Sequence, residues 1–165
     1  MQNATSISPD YRVRLANAGD TDALISLINA AFMVEKPIID GDRINVEKLA
    51  ELFGTGKFLL LEADSSVVSC VYIEIKESRR GYLGLLAVDP GRQRSGLGRR
   101  MIEAAETFLR AAGCEFADLR VVNARAELQP IYERLGYSVA GIAPIPDTMP
   151  LKIPSYFTVM SKVLR

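Results

Sequence analysis

The chain has 165 residues, 48% of them hydrophobic and 24% charged, with 20 Lys+Arg set against 20 Asp+Glu. That length fits one domain able to bury roughly two-thirds or more of its unfolded surface, and zero net charge gives no whole-protein field to gather nucleic acid or an anionic membrane. Histidine is absent, which excludes Ser–His and Cys–His triads, an H-E-x-x-H zinc helix and any histidine general base.

Residues 1–10 read as a loose polar leader, with the domain occupying 11–165. Met1 to Tyr11 holds no apolar run of the kind a signal peptide needs. No stretch reaches the ~18 consecutive apolar residues of a membrane span, so a cytoplasmic location is expected. Tyr11–Leu15 alternates as a short strand. Gly19-Asp20 opens a helix with Asp20 as N-cap, and Leu24, Leu27, Ile28 and Ala31 follow helical spacing. Pro37 to Asp42 forms a loop, and a second helix runs from about Ile44 to Phe53, closed by Gly54. Lys57–Ala63 reads as a strand, Asp64-Ser65-Ser66 as a turn, and Val67–Lys76 as a strand. In that strand Val67, Val71, Ile73 and Ile75 share one face, and Cys70, Tyr72, Glu74 and Lys76 the other.

Ser78–Gly81 turns the chain into the apolar strand Tyr82–Val88, which Asp89-Pro90-Gly91 ends. A long helix follows from about Gly96 to Ala112, with Leu97, Met101, Ala105, Phe108 and Ala112 in helical step and Gly113 as its stop. Ala117–Val122 is the next strand. A short helix begins near Pro130 and ends at Leu135-Gly136. Tyr137–Ile142 is a strand, Pro144 to Pro154 a loop, and Tyr156–Val163 the last strand. The order β-α-α-β-β-β-α-β-α-β-β combines tight antiparallel turns with one parallel crossover at 82–122. The fold class is therefore α/β (α+β): a mixed, mostly antiparallel sheet with helices on both faces.

Chemistry concentrates at Leu85–Arg100. A strand ends, a Gly-containing loop follows and a long helix starts, so free backbone N–H groups and the helix dipole offer an anion site. Gly96 and Gly98 allow close approach to the backbone. Arg92, Arg94, Arg99 and Arg100 crowd this terminus, where cations oppose the dipole by ~0.3–1 kcal/mol each unless a polyanion binds. A pyrophosphate-sized ligand fits; a solvated helix start with incidental arginines is the alternative. No G-x-x-x-x-G-K-[ST] loop is present, and Met101 stands where a Rossmann fingerprint needs Gly or Ala. Cys70 and Cys114 are lone cysteines in apolar surroundings and read as buried thiols. Neither a metal site nor a nucleic-acid-binding motif is expected.

Gln93-x-x-Gly96-x-Gly98 after Leu86-Ala87-Val88-Asp89-Pro90 resembles the acyl-CoA-binding motif of the GCN5-related N-acetyltransferase family. The resemblance continues through the long helix and Leu119-Arg120-Val121-Val122 to Ile131-Tyr132-Glu133-Arg134-Leu135-Gly136-Tyr137. It implies that strands 82–88 and 117–122 splay apart and that acetyl-CoA enters the gap as cosubstrate. Leu86, Ala87 and Val88 would meet the pantetheine arm, with the Val88 amide polarising the thioester carbonyl. Arg94, Ser95, Gly96, Leu97, Gly98 and Arg99 would wrap the pyrophosphate, and Gln93 would support the loop.

By the same resemblance Tyr132 is the general acid for the departing thiolate; a core-packed Tyr with a bonded hydroxyl is the alternative. The strand Glu that some relatives use as base is replaced by Arg120. Glu74 is the substitute candidate, set against a solvent-facing Glu paired with Lys76, or a water relay. Arg125 stands where many relatives carry Asn, with Asn123 nearby but out of register. Glu35 and the loop 37–43 would wall the acceptor site, where Asp40 and Asp42 could favour a cationic amine. The implied function is acetyl transfer to a primary amine by direct attack on the thioester; a catalytically silent acyl-CoA sensor is the other reading. The chain is expected to act as a monomer or homodimer.

Overall fold

The apolar and alternating runs assemble into one seven-stranded sheet in a computed structural model describing residues 10–165. The leader therefore lies, except for Asp10, outside the described residues. The strands are β1 (Tyr11–Leu15), β2 (Lys57–Ala63), β3 (Ser66–Lys76), β4 (Arg80–Val88), β5 (Phe116–Val122), β6 (Ser138–Pro144) and β7 (Tyr156–Val163). Their spatial order is β1-β2-β3-β4-β5-β7-β6. Only β4–β5 is parallel; every other neighbouring pair is antiparallel. The parallel step needs a crossover, supplied by α3 (Leu97–Ala111).

Helices cover both faces, as expected for a sheet whose two sides are apolar. On one, α3 buries Leu97, Met101, Ile102, Ala105 and Leu109 against Val71, Ile73, Leu83, Leu119 and Met160. On the other, α1 (Thr21–Ala31) and α2 (Val46–Thr55) bury Leu24, Ile28 and Leu49 against Phe58, Leu60, Cys70 and Tyr72. The short α4 (Leu128–Arg134) begins two residues before Pro130, which sits in its first turn without breaking a helical bond.

Local chemistry moves several expected boundaries. Asp20 does not cap α1: its carboxylate takes two guanidinium bonds from Arg14, at 2.8 and 2.7 Å, and one from the Asn17 N–H at 2.8 Å. The cap belongs to a preceding 3-10 turn, where Asn17 accepts from the Gly19 N–H. Helix α2 runs through Gly54 and stops at Gly56, where a Cβ would lie 2.4 Å from the Ile73 carbonyl oxygen. In β3 the expected face is also corrected. A register shift opposite Leu61/Glu62 brings Val68, not Val67, onto the α3 side with Val71 and Ile73. Ile75 runs past the core and is 54% exposed.

A buried polar group ties α3 to the far half of the sheet. The Glu106 carboxylate is 3% exposed; it accepts the Tyr137 hydroxyl at 2.8 Å and the Lys162 ammonium at 2.9 Å. Buried charge is tolerable only when paired and bonded. Tyr137 in turn packs edge-on to Tyr132, ring centroids 6.1 Å apart. Glu106→Ala leaves Lys162 without a counter-ion, holding only the Leu135 carbonyl at 2.8 Å, and the Tyr137 hydroxyl without its acceptor; it is expected to lower stability by about 3 kcal/mol, measured by urea unfolding.

Candidate active site

The parallel pairing of β4 and β5 stops early. It runs from Arg80↔Phe116 to Leu83↔Leu119, whereas β5 stays paired to β7 as far as Val122↔Phe157. Beyond Leu83, β4 leans away. Its register on β3 slips between Cys70 and Tyr72, and Leu85 takes a left-handed φ of 48°, a conformation rare for a large side chain. The Asp89 N–H donates to the Val68 carbonyl on β3 at 2.8 Å. By strand alternation the Val88 N–H points the opposite way, into the gap that β5 has vacated.

The loop after β4 carries the second element. Asp89 accepts from the Gly91 N–H at 3.0 Å, Gln93 donates to the Val88 carbonyl at 3.4 Å, and the Ser95 hydroxyl donates to the Arg92 carbonyl. Arg94 and Gly96 are left-handed, φ 67° and 82°, a backbone course that turns amides toward an anion-binding concavity. Helix α3 starts on Gly96 with no side-chain cap, so its first N–H groups are unspent. Of the four arginines here, Arg92 approaches Asp89 (3.9 Å), Arg99 pairs with Glu103 (3.3 Å) and Arg100 lies over the Tyr11 ring (4.6 Å). Arg94 alone faces the gap.

Gap and helix start open into one cleft of about 610 Å³. The cleft passes through the sheet, from the α3 side, with Gly96, Gly98 and Tyr132, to the α1/α2 side, with Phe32, Arg43 and Tyr82. Tyr132 is half-buried on α4, and its hydroxyl makes no hydrogen bond among the described residues. Burial pushes its phenol up to about 12, with Arg125 lowering and Glu35 raising it. Tyr137 is the structural tyrosine of the pair, bonded to Glu106.

Charge in the far half of the cleft is uneven. Arg125 pairs with Glu35 at 3.1 Å and with Glu127 at 3.1 Å. Glu35 is buried, and its Oε1 has no hydrogen-bond partner among the described residues. Arg43 lies over the Phe32 ring at 5.0 Å and, among the described residues, reaches only the Met149 sulfur at 3.7 Å. Burial lowers its pKa below the usual arginine value, with Glu35 and Tyr82 raising it. Arg120 lies near the Tyr82 and Phe157 rings, at 5.8 and 5.9 Å. Neither Arg43 nor Arg120 forms a salt bridge among the described residues.

The structure brings together Leu86, Val88, Gln93, Arg94, Gly96, Leu97, Gly98 and Tyr132 on the cleft wall. It leaves Ala87, Ser95, Arg99 and Glu74 off it. Ala87 is buried on the α1/α2 side, Ser95 braces the loop, and Arg99 is turned to Glu103. Glu74 accepts the Tyr72 hydroxyl at 2.7 Å and pairs with Lys76 at 2.6 Å. Asp40 and Asp42 also face elsewhere, toward Lys152 (3.8 Å) and Lys36 (3.4 Å). Arg125 is held by carboxylates, and Asn123 accepts from the Tyr156 N–H at 2.8 Å. Cys70 is fully buried, and burial pushes its thiol up to about 12. That state is inert as a nucleophile. The loop 37–43 does wall the site, but through Arg43, where the sequence pointed to Asp40 and Asp42. Arg43 sits in a loop without periodicity, and only the packing of that loop against β7 and the β6–β7 connection brings it to the site. Among the described residues no group of acids and cysteines is arranged to hold a metal, and no helix is long and apolar enough to cross a membrane.

Known proteins resemble this chain in sequence and in fold. The Acetyltransferase (GNAT) family profile matches residues 21–137, and the chain belongs to that family. Among curated proteins it is similar to the mycothiol acetyltransferases of Beutenbergia cavernae (28% identical over 81 residues, 49% of this chain and 27% of that one) and Propionibacterium freudenreichii (38% over 60 residues, 36% and 19%). The matched segments thus span about a quarter or less of those relatives' length. Among solved structures, the ribosomal-protein-S18-alanine N-acetyltransferase of Escherichia coli shares the fold with a TM-score of 0.76 at 19% identity, covering 94% of each chain.

The helix start makes a direct prediction. Gly96 requires its left-handed φ, although no atom lies within 4 Å of where a Cβ would stand. Gly96→Ala should cost about 1–2 kcal/mol, read as a fall of several degrees in melting temperature. Gly91→Ala, where the added carbon meets only Asp89 Oδ1 at 3.6 Å, should be near neutral.

Proposed function

We propose that this family member is an acetyl-CoA-dependent N-acetyltransferase acting on a primary amine by direct attack on the thioester. One observation carries the reading: a single through-sheet cleft joins uncapped α3 amides, an unpaired β4 edge and an unbonded Tyr132 hydroxyl. The residues present fit the coenzyme. Backbone N–H groups of α3 and the left-handed Arg94–Gly96 turn hold a pyrophosphate, and the open edge of β4 offers strand-like bonds to the pantetheine amides. Acetyl-CoA, when bound, supplies the activated acyl group.

Val88 directs its N–H toward the thioester carbonyl, where a fixed donor stabilises the charge that develops on oxygen. Tyr132 holds its proton at neutral pH and donates a hydrogen bond to the departing sulfur. A phenol near 12 is a weaker acid than an ordinary thiol, with a reference pKa of about 8.5. Desolvation in the same cleft raises the thiol as well and narrows that difference. Glu74 stands outside the cleft wall, so the proton of the incoming ammonium leaves through water rather than directly to Glu74.

Two measurements test this. Saturating acetyl-CoA or free coenzyme A should raise the melting temperature by several degrees, as about 2.7 kcal/mol of linkage at 100-fold over Kd requires, and ATP should not. No shift at millimolar coenzyme would sink the proposal. Tyr132→Phe should lower kcat by about 100-fold or more with little change in KM for acetyl-CoA. Because the phenol is pushed up to about 12, its deprotonation does not shape the rate profile between pH 6 and 9, and the variant should keep the profile's shape there.

A further inference from the structure

The far half of the cleft is built for negative charge. Its charged lining is Glu35, Arg43, Arg120 and Arg125. Glu35 Oε2 and Arg125 pair at 3.1 Å, and Arg125 also pairs with Glu127. Arg43 and Arg120 are left, two guanidinium groups with no carboxylate partner among the described residues. Both stand against aromatic faces, Arg43 over Phe32 and Arg120 between Tyr82 and Phe157. Both also act electrostatically on the Tyr82 phenol, which burial raises and they lower. They therefore lie around one ring, on the sheet face opposite α3.

A guanidinium fork is shaped for carboxylate or phosphate. Arg43 is half-buried, and without a partner it is unfavourable until such a group arrives; Arg120 is exposed and can turn to the same group. The coenzyme's pyrophosphate is drawn to the other end, where the α3 amides and Arg94 stand. The loop acids that would favour a purely cationic acceptor, Asp40 and Asp42, are turned away to lysines. Glu35 stands beside the two guanidinium groups in a structural role. It is buried on the cleft wall, with one oxygen on Arg125 and the other, Oε1, without a partner among the described residues. That oxygen is closed to solvent, so Glu35 positions Arg125 and does not itself bind the amine.

Resting on the acetyltransferase reading above, we infer that the acceptor is a small amine that also carries an anionic group, carboxylate or phosphate. Arg43 and Arg120 hold the anion, which leaves the amine end of the same molecule free to reach the thioester. The transfer balances as it must. The amine nitrogen bonds the acyl carbon, and the C–S bond breaks with its electron pair on sulfur. Of the two protons the ammonium loses, one is matched by the proton that sulfur gains and the other goes to water.

The test is a panel of matched amines assayed for release of coenzyme A thiol. Amino acids are set against their amides, and phosphoethanolamine against ethanolamine. The anionic member of a pair should have at least a 10-fold higher kcat/KM; the pair showing the larger ratio tells carboxylate from phosphate. Arg43→Gln and Arg120→Gln should each raise KM for the anionic amine about 10-fold. Both should leave the neutral partner's value and the coenzyme-induced melting shift unchanged. Neutral amines that match or exceed their anionic partners overturn the inference, as do variants that lower both alike. If no panel member turns over, the same pairs are compared by the further melting shift they give to the coenzyme-loaded protein. A rise confined to anionic amines and lost in Arg43→Gln supports the inference; no rise, or an equal rise with neutral amines, overturns it. Absence of any coenzyme-induced shift sinks the acetyltransferase reading itself, a result distinct from a failed charge preference.

Discussion

Everything at the site depends on the divergence of β4 from β5 after Leu83 and Leu119. Backbone groups inside a sheet normally pair with a neighbour, and leaving them open is unfavourable. Two features hold the strands apart. The slip of β4 on β3, with Leu85 left-handed, bends β4 away, and continuous pairing to β7 keeps β5 from following. The open edge is a place where an extended ligand can add itself as strand, and it also makes the cleft a passage rather than a pit.

A passage through the sheet separates two electrostatic tasks. On the α3 side, negative charge is met by backbone amides, a helix dipole and Arg94. On the α1/α2 side it meets side-chain guanidinium groups on aromatic platforms, with Glu35 beside them. Tyr132 stands between, its ring braced by Tyr137, which Glu106 fixes to α3. Tyr132 is thus braced through α3, the core element that also follows the glycine loop, so a distortion of either reaches the other.

Strand and helix identities were legible wherever periodicity was strong. Leu97, Met101 and Ala105 face the core as their spacing requires. The misreadings are local contests that sequence spacing does not rank. Asp20 could cap a helix or bind Arg14, and the two-bond guanidinium contact won. Gly54 and Gly56 could each stop α2, and close approach of Ile73 chose the second. Val67 and Val68 could each face α3, and a register shift decided.

The sequence alone determined the family, the glycine loop at a helix start and the tyrosine one turn into α4, because these are short-range patterns within single elements. It also determined by composition that this chain contributes no histidine. Only the tertiary structure decided which charges face the cleft. Glu74, Asp40 and Asp42 looked available in sequence and are drawn off by lysines, while Arg43, in a loop without periodicity, comes to stand beside Tyr82. The reason is physical: a side chain's charge is local, but its neutralisation depends on partners that lie far away in sequence, as Glu35 and Arg125 do, 90 residues apart.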